Sequence, residues 1–171
     1  LLYFLPLFLV AYRFGGAKFQ NYILLFASVV FYGWGAMSFL PILLASSVVN
    51  YYLVRKLHAM GGVGRGRAVG GAVILNVGIL LYFKYANFFV ENIAPQGFAW
   101  EDVALPIGIS FFSFQSLSYA LDVHRKTVRP LDKLSEYLVY ILSFPQMIAG
   151  PIVRFTEVEK ELRNRTVENS A

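Results

Sequence analysis

Few residues of this chain are of a type that makes or breaks bonds. Cysteine is absent, which removes disulfides, thiolate metal sites and a cysteine nucleophile. The two histidines, His58 and His124, are far apart and differently placed. A general base needs an oriented imidazole within reach of its substrate. His58 falls in a loop rich in Arg and Lys and reads as solvated, while His124 closes Asp122-Val123-His124-Arg125 at the end of an apolar run and reads as an interfacial contact. No carboxylate pair sits inside an apolar run, so neither a metal site nor a catalytic triad is predicted. The glycine-rich Gly61-Gly62-Val63-Gly64-Arg65-Gly66-Arg67 invites a phosphate cradle, yet it fits neither G-x-x-x-x-G-K-[ST] nor G-x-G-x-x-G, and no strand precedes it. It reads as a flexible basic linker drawn to anionic headgroups. Gly66 and Gly70 have small-xxx-small spacing. Asn164-Arg165-Thr166 is a formal glycosylation acceptor that carries no information here.

The polar residues with the most to say lie in Leu105 to Arg125. At 100° per residue this segment has three faces. Phe114, Leu117 and Leu121 form an apolar face; Ser110, Ser113, Ser116 and Ala120 form a small-residue face suited to close helix packing. Gln115, Ser118, Tyr119 and Asp122 form a polar face. Unpaired polar groups in lipid cost several kcal/mol, so this face must look into a helix bundle or a water-filled cavity. Two readings stand side by side: hydrogen-bond glue between helices, with Asp122 paired to Arg125 or Arg129, or the wall of a wet path.

The elements that position these residues follow from composition. Of 171 residues, 57% are hydrophobic and only 15% charged, with a mean hydropathy of +0.57; soluble domains run to about 45–50% and about 25%. Such a chain is solvated by lipid. A span needs about 20 helical residues at 1.5 Å each. From Phe19 to Val54 there is no charge. As one helix that run would reach roughly 54 Å, so a break at Gly33-Trp34-Gly35, with Pro41 beyond, divides it into two helices and sets Tyr32 and Trp34 at the membrane boundary. Leu1–Tyr12 ends a first helix, Ala68–Val90 forms a fourth and Leu105–Leu121 a fifth. Leu134–Ile152 is a sixth apolar stretch interrupted by Pro145 and Gly150-Pro151. Without period-2 alternation these runs exclude a barrel. The predicted fold class is all-α: a polytopic transmembrane helix bundle of five spans plus a sixth broken or re-entrant segment. The absence of an initiating methionine and the abrupt polar end lead us to expect a piece of a longer protein.

Charge sorts by loop. Arg13 and Lys18 lie in the first loop, Arg55, Lys56, Arg65 and Arg67 in the third, and Arg125, Lys126, Arg129 and Lys133 in the fifth; the fourth has Glu91, Glu101 and Asp102 and no base. The positive-inside rule places the odd loops in the cytosol. It also accounts for the formal charge of +5 without a nucleic-acid partner, since the bases are spread as topology signals. A full sixth crossing would carry Arg154, Lys160, Arg163 and Arg165 outside. A dip that enters and leaves on the cytosolic side keeps the pattern, with the tail after Phe155 as an amphipathic or exposed cytosolic helix.

Three strings resemble the membrane-bound O-acyltransferase family, in its alginate O-acetyltransferase and D-alanyl-lipoteichoic-acid branch. They are Tyr82-Phe83-Lys84-Tyr85-Ala86-Asn87-Phe88; Leu105-Pro106-Ile107-Gly108-Ile109-Ser110-Phe111-Phe112 running on to Asp122-Val123-His124-Arg125, with His124 where relatives carry Tyr; and Phe144-Pro145-Gln146-Met147-Ile148-Ala149-Gly150-Pro151-Ile152-Val153-Arg154. The resemblance covers essentially the whole chain but only the first third of a family member, so residues 1–171 are expected to be the N-terminal part of one polytopic acyltransferase domain. It implies a multi-pass enzyme of the bacterial cytoplasmic membrane. Such an enzyme takes an acyl group from a cytosolic thioester, acetyl-CoA or another, and passes it to hydroxyls of an extracytoplasmic polysaccharide or polymer, often through a partner protein. The family's catalytic histidine lies in the second half of the chain and nothing here corresponds to it. No catalytic, cofactor-binding or metal-ligating residue is therefore carried over, and the segment is expected to be inactive alone. Gln115, Ser118, Asp122 and Gln146 are the candidates for a funnel wall. A transporter or flippase component is the alternative that broken helices and intramembrane polar faces leave open.

Overall fold

The structure is a computed structural model that describes residues 3–60, 62–93, 99–144, 146 and 155–163. Among the described residues the regular structure is entirely helical: α1 Phe4–Phe14, α2 Gly16–Ala36, a 3-10 turn Met37–Phe39, α3 Leu40–Ala59, α4 Gly62–Ile93, α5 Ile109–His124, α6 Leu134–Leu142 and α7 Phe155–Arg163. Two apolar helical stretches are long enough to cross a membrane by length and composition, Phe19–Ala59 (41 residues, divided by the turn) and Gly64–Ile93 (30 residues). In the most apolar window of the second only 6% of the residues are buried, and Phe26, Ile74, Leu81, Phe88 and Phe89 lie exposed. In water such a surface would associate; in a bilayer it is the surface that lipid solvates. The chain is an α-helical membrane bundle.

The run from Phe19 divides at Ala36, whose φ of −154° and ψ of 49° leave the helical region. This is one residue beyond the Gly33-Trp34-Gly35 break expected, and Pro41 opens α3 in its first turn, where its missing N–H costs nothing. Trp34 is 91% exposed, but Tyr32 turns inward and its hydroxyl donates to the Ile107 carbonyl at 3.1 Å.

The linker expected at Gly61–Arg67 is corrected: from Gly62 onward it is the first two turns of α4. Glycine disfavours a helix by about 1 kcal/mol each, so the turns need an outside anchor. Arg65 supplies it by donating from Nη2 to the Val123 carbonyl at 2.8 Å. Among the described residues nothing packs on Gly66 or Gly70, since a Cβ added at either meets nothing within 4 Å.

Side-chain bonds give the direction of each helix. Tyr32, late in α2, meets Ile107 just before α5, whereas Tyr51, late in α3, donates to the Asp132 carbonyl beyond α5 at 2.6 Å. Arg65, early in α4, meets the end of α5, and Asn87, late in α4, meets Val103 ahead of it. Thus α3 and α5 run one way and α4 runs back. Arg55, Arg65 and Arg125 gather at one end of the bundle, with Glu91, Glu101 and Asp102 at the other, the sorting of charge that the loops imply.

α5 starts after Gly108, whose φ of 78° favours glycine. It ends in a Schellman arrangement: Lys126 adopts φ 62°, its N–H reaches the Val123 carbonyl, and the Thr127 N–H reaches that of Asp122. Phe144 packs edge-on against Phe4 and Phe8 and tilted against Phe31 at centroid distances of 5.0–5.5 Å, tying α1 and α2 to the chain beyond α6; such ring pairs contribute about 0.5–1.5 kcal/mol each.

Candidate functional site

α6 stops in mid-bundle after nine residues, about 14 Å of helix. The sequence puts a break at Pro145, and proline disfavours the helical conformation of the residue before it. Regular helix is lost one residue earlier still, at Ser143 (φ −51°, ψ 108°). An interrupted helix within the bilayer must find partners for its freed backbone groups. The last helical bond is Ser143 N–H to Val139 at 3.1 Å. The next would join Phe144 N–H to the Tyr140 carbonyl, and it is absent because two side chains have taken its halves. Ser28 of α2 accepts the Phe144 N–H at 3.2 Å while donating to Leu24 at 2.7 Å. Gln115 of α5 donates from Nε2 to the Tyr140 carbonyl at 2.8 Å.

The four polar candidates fall into two groups. Gln115 and Gln146 meet at the break, Nε2 to Oε1 at 3.4 Å. Gln115 exposes no surface and its Oε1 has no partner, so it stands behind the wall; Gln146 stands on it. With Leu24, Val139, Tyr140, Ser143, Val158 and Leu162 it lines a cavity of about 160 Å³, room for about five waters at about 30 Å³ each. Ser118 and Asp122 line a separate groove of about 280 Å³ with Phe114, Leu117, Leu121 and Arg125. Asp122 Oδ2 is buried there without a hydrogen-bond partner, so this oxygen makes neither of the two pairings considered, to Arg125 or to Arg129. Lys133 pairs with Glu136 at 3.3 Å. The polar face of α5 is thus divided, and Tyr119, fully buried, belongs to neither group: its hydroxyl accepts the Leu131 N–H at 2.7 Å. His58 is exposed in the last turn of α3, and His124 is half-buried with Nδ1 unpartnered.

α7 returns to the same helix that the break interrupts. Phe155 is fully buried and stacks edge-on against Tyr119 (4.9 Å) and Tyr140 (5.3 Å), while Val158 and Leu162 close one side of the cavity. The path between lies at 145 and 147–154, outside the described residues, as do Gly150-Pro151 and Asn164-Arg165-Thr166.

Two amide clusters escape a reading based on α5 alone. Asn50 of α3 and Asn76 of α4 form a reciprocal buried pair, Asn76 Nδ2 to Asn50 Oδ1 at 2.8 Å and Asn50 Nδ2 to Asn76 Oδ1 at 3.2 Å. Asn76 stands as the lone amide between Ala68 and Tyr85, a signal visible in sequence. Asn87, within the Tyr82–Phe88 string, grips the segment before α5: its Nδ2 donates to the Val103 carbonyl (3.1 Å), and its Oδ1 accepts from Val103 N (2.9 Å) and Trp100 Nε1 (3.1 Å).

The chain is 38% identical over 95% of its length to the "Probable alginate O-acetylase AlgI" of Pseudomonas syringae pv. tomato and 36% over 95% to that of Pseudomonas aeruginosa. It is 29% identical over 83% of its length to the "Peptidoglycan O-acetyltransferase" of Helicobacter pylori. It covers 33%, 33% and 32% of those proteins, and so spans about a third of the length of the curated relatives it matches. No family model and no solved structure matches it.

Proposed function

The resemblance to the membrane-bound O-acyltransferases, in their O-acetylating branch, is borne out along nearly the whole chain, and from that premise we propose that this segment builds part of the chamber in which a membrane enzyme moves acetyl groups onto a polymer. The donor is a cytosolic thioester, acetyl-CoA being the simplest, and the acceptor is a hydroxyl of an extracytoplasmic polysaccharide, reached through a partner protein. The enzyme sits as a multi-pass protein in the bacterial cytoplasmic membrane. One observation carries the reading: relatives named for O-acetylation of alginate and of peptidoglycan match the same stretch, lipid-facing helices included.

This segment's share is scaffold and wall. Asn50 and Asn76 join two helices, and Asn87 a helix and a loop, by hydrogen bonds of their side-chain amides, and in lipid a polar group needs such a partner. α6 ends at Ser143 with its freed backbone groups held by Ser28 and Gln115, and Gln146, Ser118 and Asp122 give the wall its polar patches, with Gln115 supporting Gln146 from behind. An acyl thioester crossing a low-dielectric interior needs such patches, since its polar atoms would otherwise lose their hydrogen bonds. A transport path also uses broken helices, but the names of the relatives lend that reading nothing.

The test is acetyl transfer. Membranes containing the full-length protein and its companions are given radiolabelled acetyl-CoA with alginate or peptidoglycan. Alkali-labile label on either polymer is the expected result; label on neither, with the protein present in the membrane, overturns the proposal.

A further inference from the structure

We propose that the amide N–H2 of Gln146 binds a carbonyl oxygen of the acyl thioester in the cavity beside the α6 break, and that Gln115 is the positioning residue that aims it there. This rests on the acyl-transfer reading above. A chain of donors and acceptors fixes the orientation. The Tyr140 carbonyl can only accept, so the Gln115 atom at 2.8 Å from it is the nitrogen. That nitrogen can only donate, so the Gln146 atom at 3.4 Å from it is the oxygen. Gln146 therefore has its oxygen turned towards Gln115, and Gln146 lines the cavity. The first link exists because the helical bond from Phe144 to Tyr140 is split: Ser28 holds the N–H half and leaves the carbonyl half to Gln115.

The cavity suits a narrow chain carrying a polar atom. Leu24, Val139, Val158 and Leu162 supply apolar walls on opposite sides, and Ser143 and Gln146 supply the polar groups. At about 160 Å³ it has room for an acetyl group and the thioester next to it. The donor loses little freedom on binding because Gln115 already orients it.

The chain has no cysteine, so Ser143→Cys is a reporter inside the cavity, placed in the full-length protein with any other cysteines replaced. The rate of maleimide labelling is read against increasing acetyl-CoA, and acetyl transfer is measured on the same preparation. Protection by acetyl-CoA is expected. Adding Gln146→Leu, or the isosteric Gln146→Glu, should raise the half-protecting concentration about tenfold, the loss of one hydrogen bond. Gln115→Leu should do the same without touching the ligand, and without changing the labelling rate when acetyl-CoA is absent; a collapsed cavity would change that rate. Should the reporter protein transfer acetyl while acetyl-CoA gives no protection, or gives protection that neither Gln146 variant weakens, the proposal is overturned and the acyl-transfer reading stands. Should it neither transfer acetyl nor be protected, the acyl-transfer reading fails and takes this one with it.

Discussion

Replacing Asn76 by leucine probes whether α3 and α4 are joined by amides rather than by apolar packing alone. Asn76 and Asn50 are 2% and 1% exposed. Each amide nitrogen keeps a second bond within its own helix, Asn50 to the Ser46 carbonyl at 3.0 Å and Asn76 to that of Ala72 at 2.8 Å. In Asn76→Leu both interhelical bonds go, at about 0.6 kcal/mol each in a membrane protein, and the Asn50 Oδ1 is orphaned at about 1 kcal/mol, so the loss is about 2 kcal/mol. Asn50→Leu is the mirror case with the same expected loss. The double variant Asn50→Leu/Asn76→Leu orphans nothing, and it should lose only about 1 kcal/mol, less than either single change. Reversible unfolding of the full-length protein in mixed micelles, read as a double-mutant cycle, measures all four forms. Additive losses, with the double variant the least stable, refute the reciprocal pair.

Three further outcomes follow from backbone geometry and loop contacts. Gly108→Ala, placed at a φ of 78°, should destabilise the start of α5 by about 1–2 kcal/mol, seen in the same unfolding assay. Lys126→Gly should stabilise by about 1 kcal/mol, because a glycine takes the φ of 62° without steric cost. Asn87→Ala removes three hydrogen bonds to residues 100 and 103; at about 1 kcal/mol each in net worth, their loss should make the segment ahead of α5 at least tenfold more sensitive to protease added on that face, with the helices left intact.

The helical bundle was legible in sequence because apolar runs of span length admit few other solutions. The Phe19–Val54 run divided within a residue of its glycines, since the same length that exceeds one span forces the break. The helical start of α4 was hidden, because its glycines argue for a loop and only a distant carbonyl, that of Val123, holds Arg65 in place. Periodicity put Gln115, Ser118, Tyr119 and Asp122 on one face, yet the structure separates them, as helices packed on two sides of α5 cut that face in two. Gln115 was marked by its polarity; what it bonds to was invisible, because its partner is a backbone carbonyl released by a break at Ser143. Asn50 and Asn76 obey the rule that singled out Gln115, an amide alone in an apolar run, and applying it to every span would have found them. The amphipathic ring of Tyr32 suits the boundary, and which way it faces follows from a partner that the sequence does not reveal, the Ile107 carbonyl before α5.

Sidedness is the most direct test that this bundle crosses a bilayer with its basic end in the cytosol. Single cysteines at Ser135 and Thr156, and a third at Asp102, are labelled in intact cells with a membrane-impermeant maleimide. The cysteine at 102 should react from outside, and those at 135 and 156 only after the cells are opened. Labelling of either of those two from outside, or protection of the one at 102, contradicts the topology on which the chamber depends.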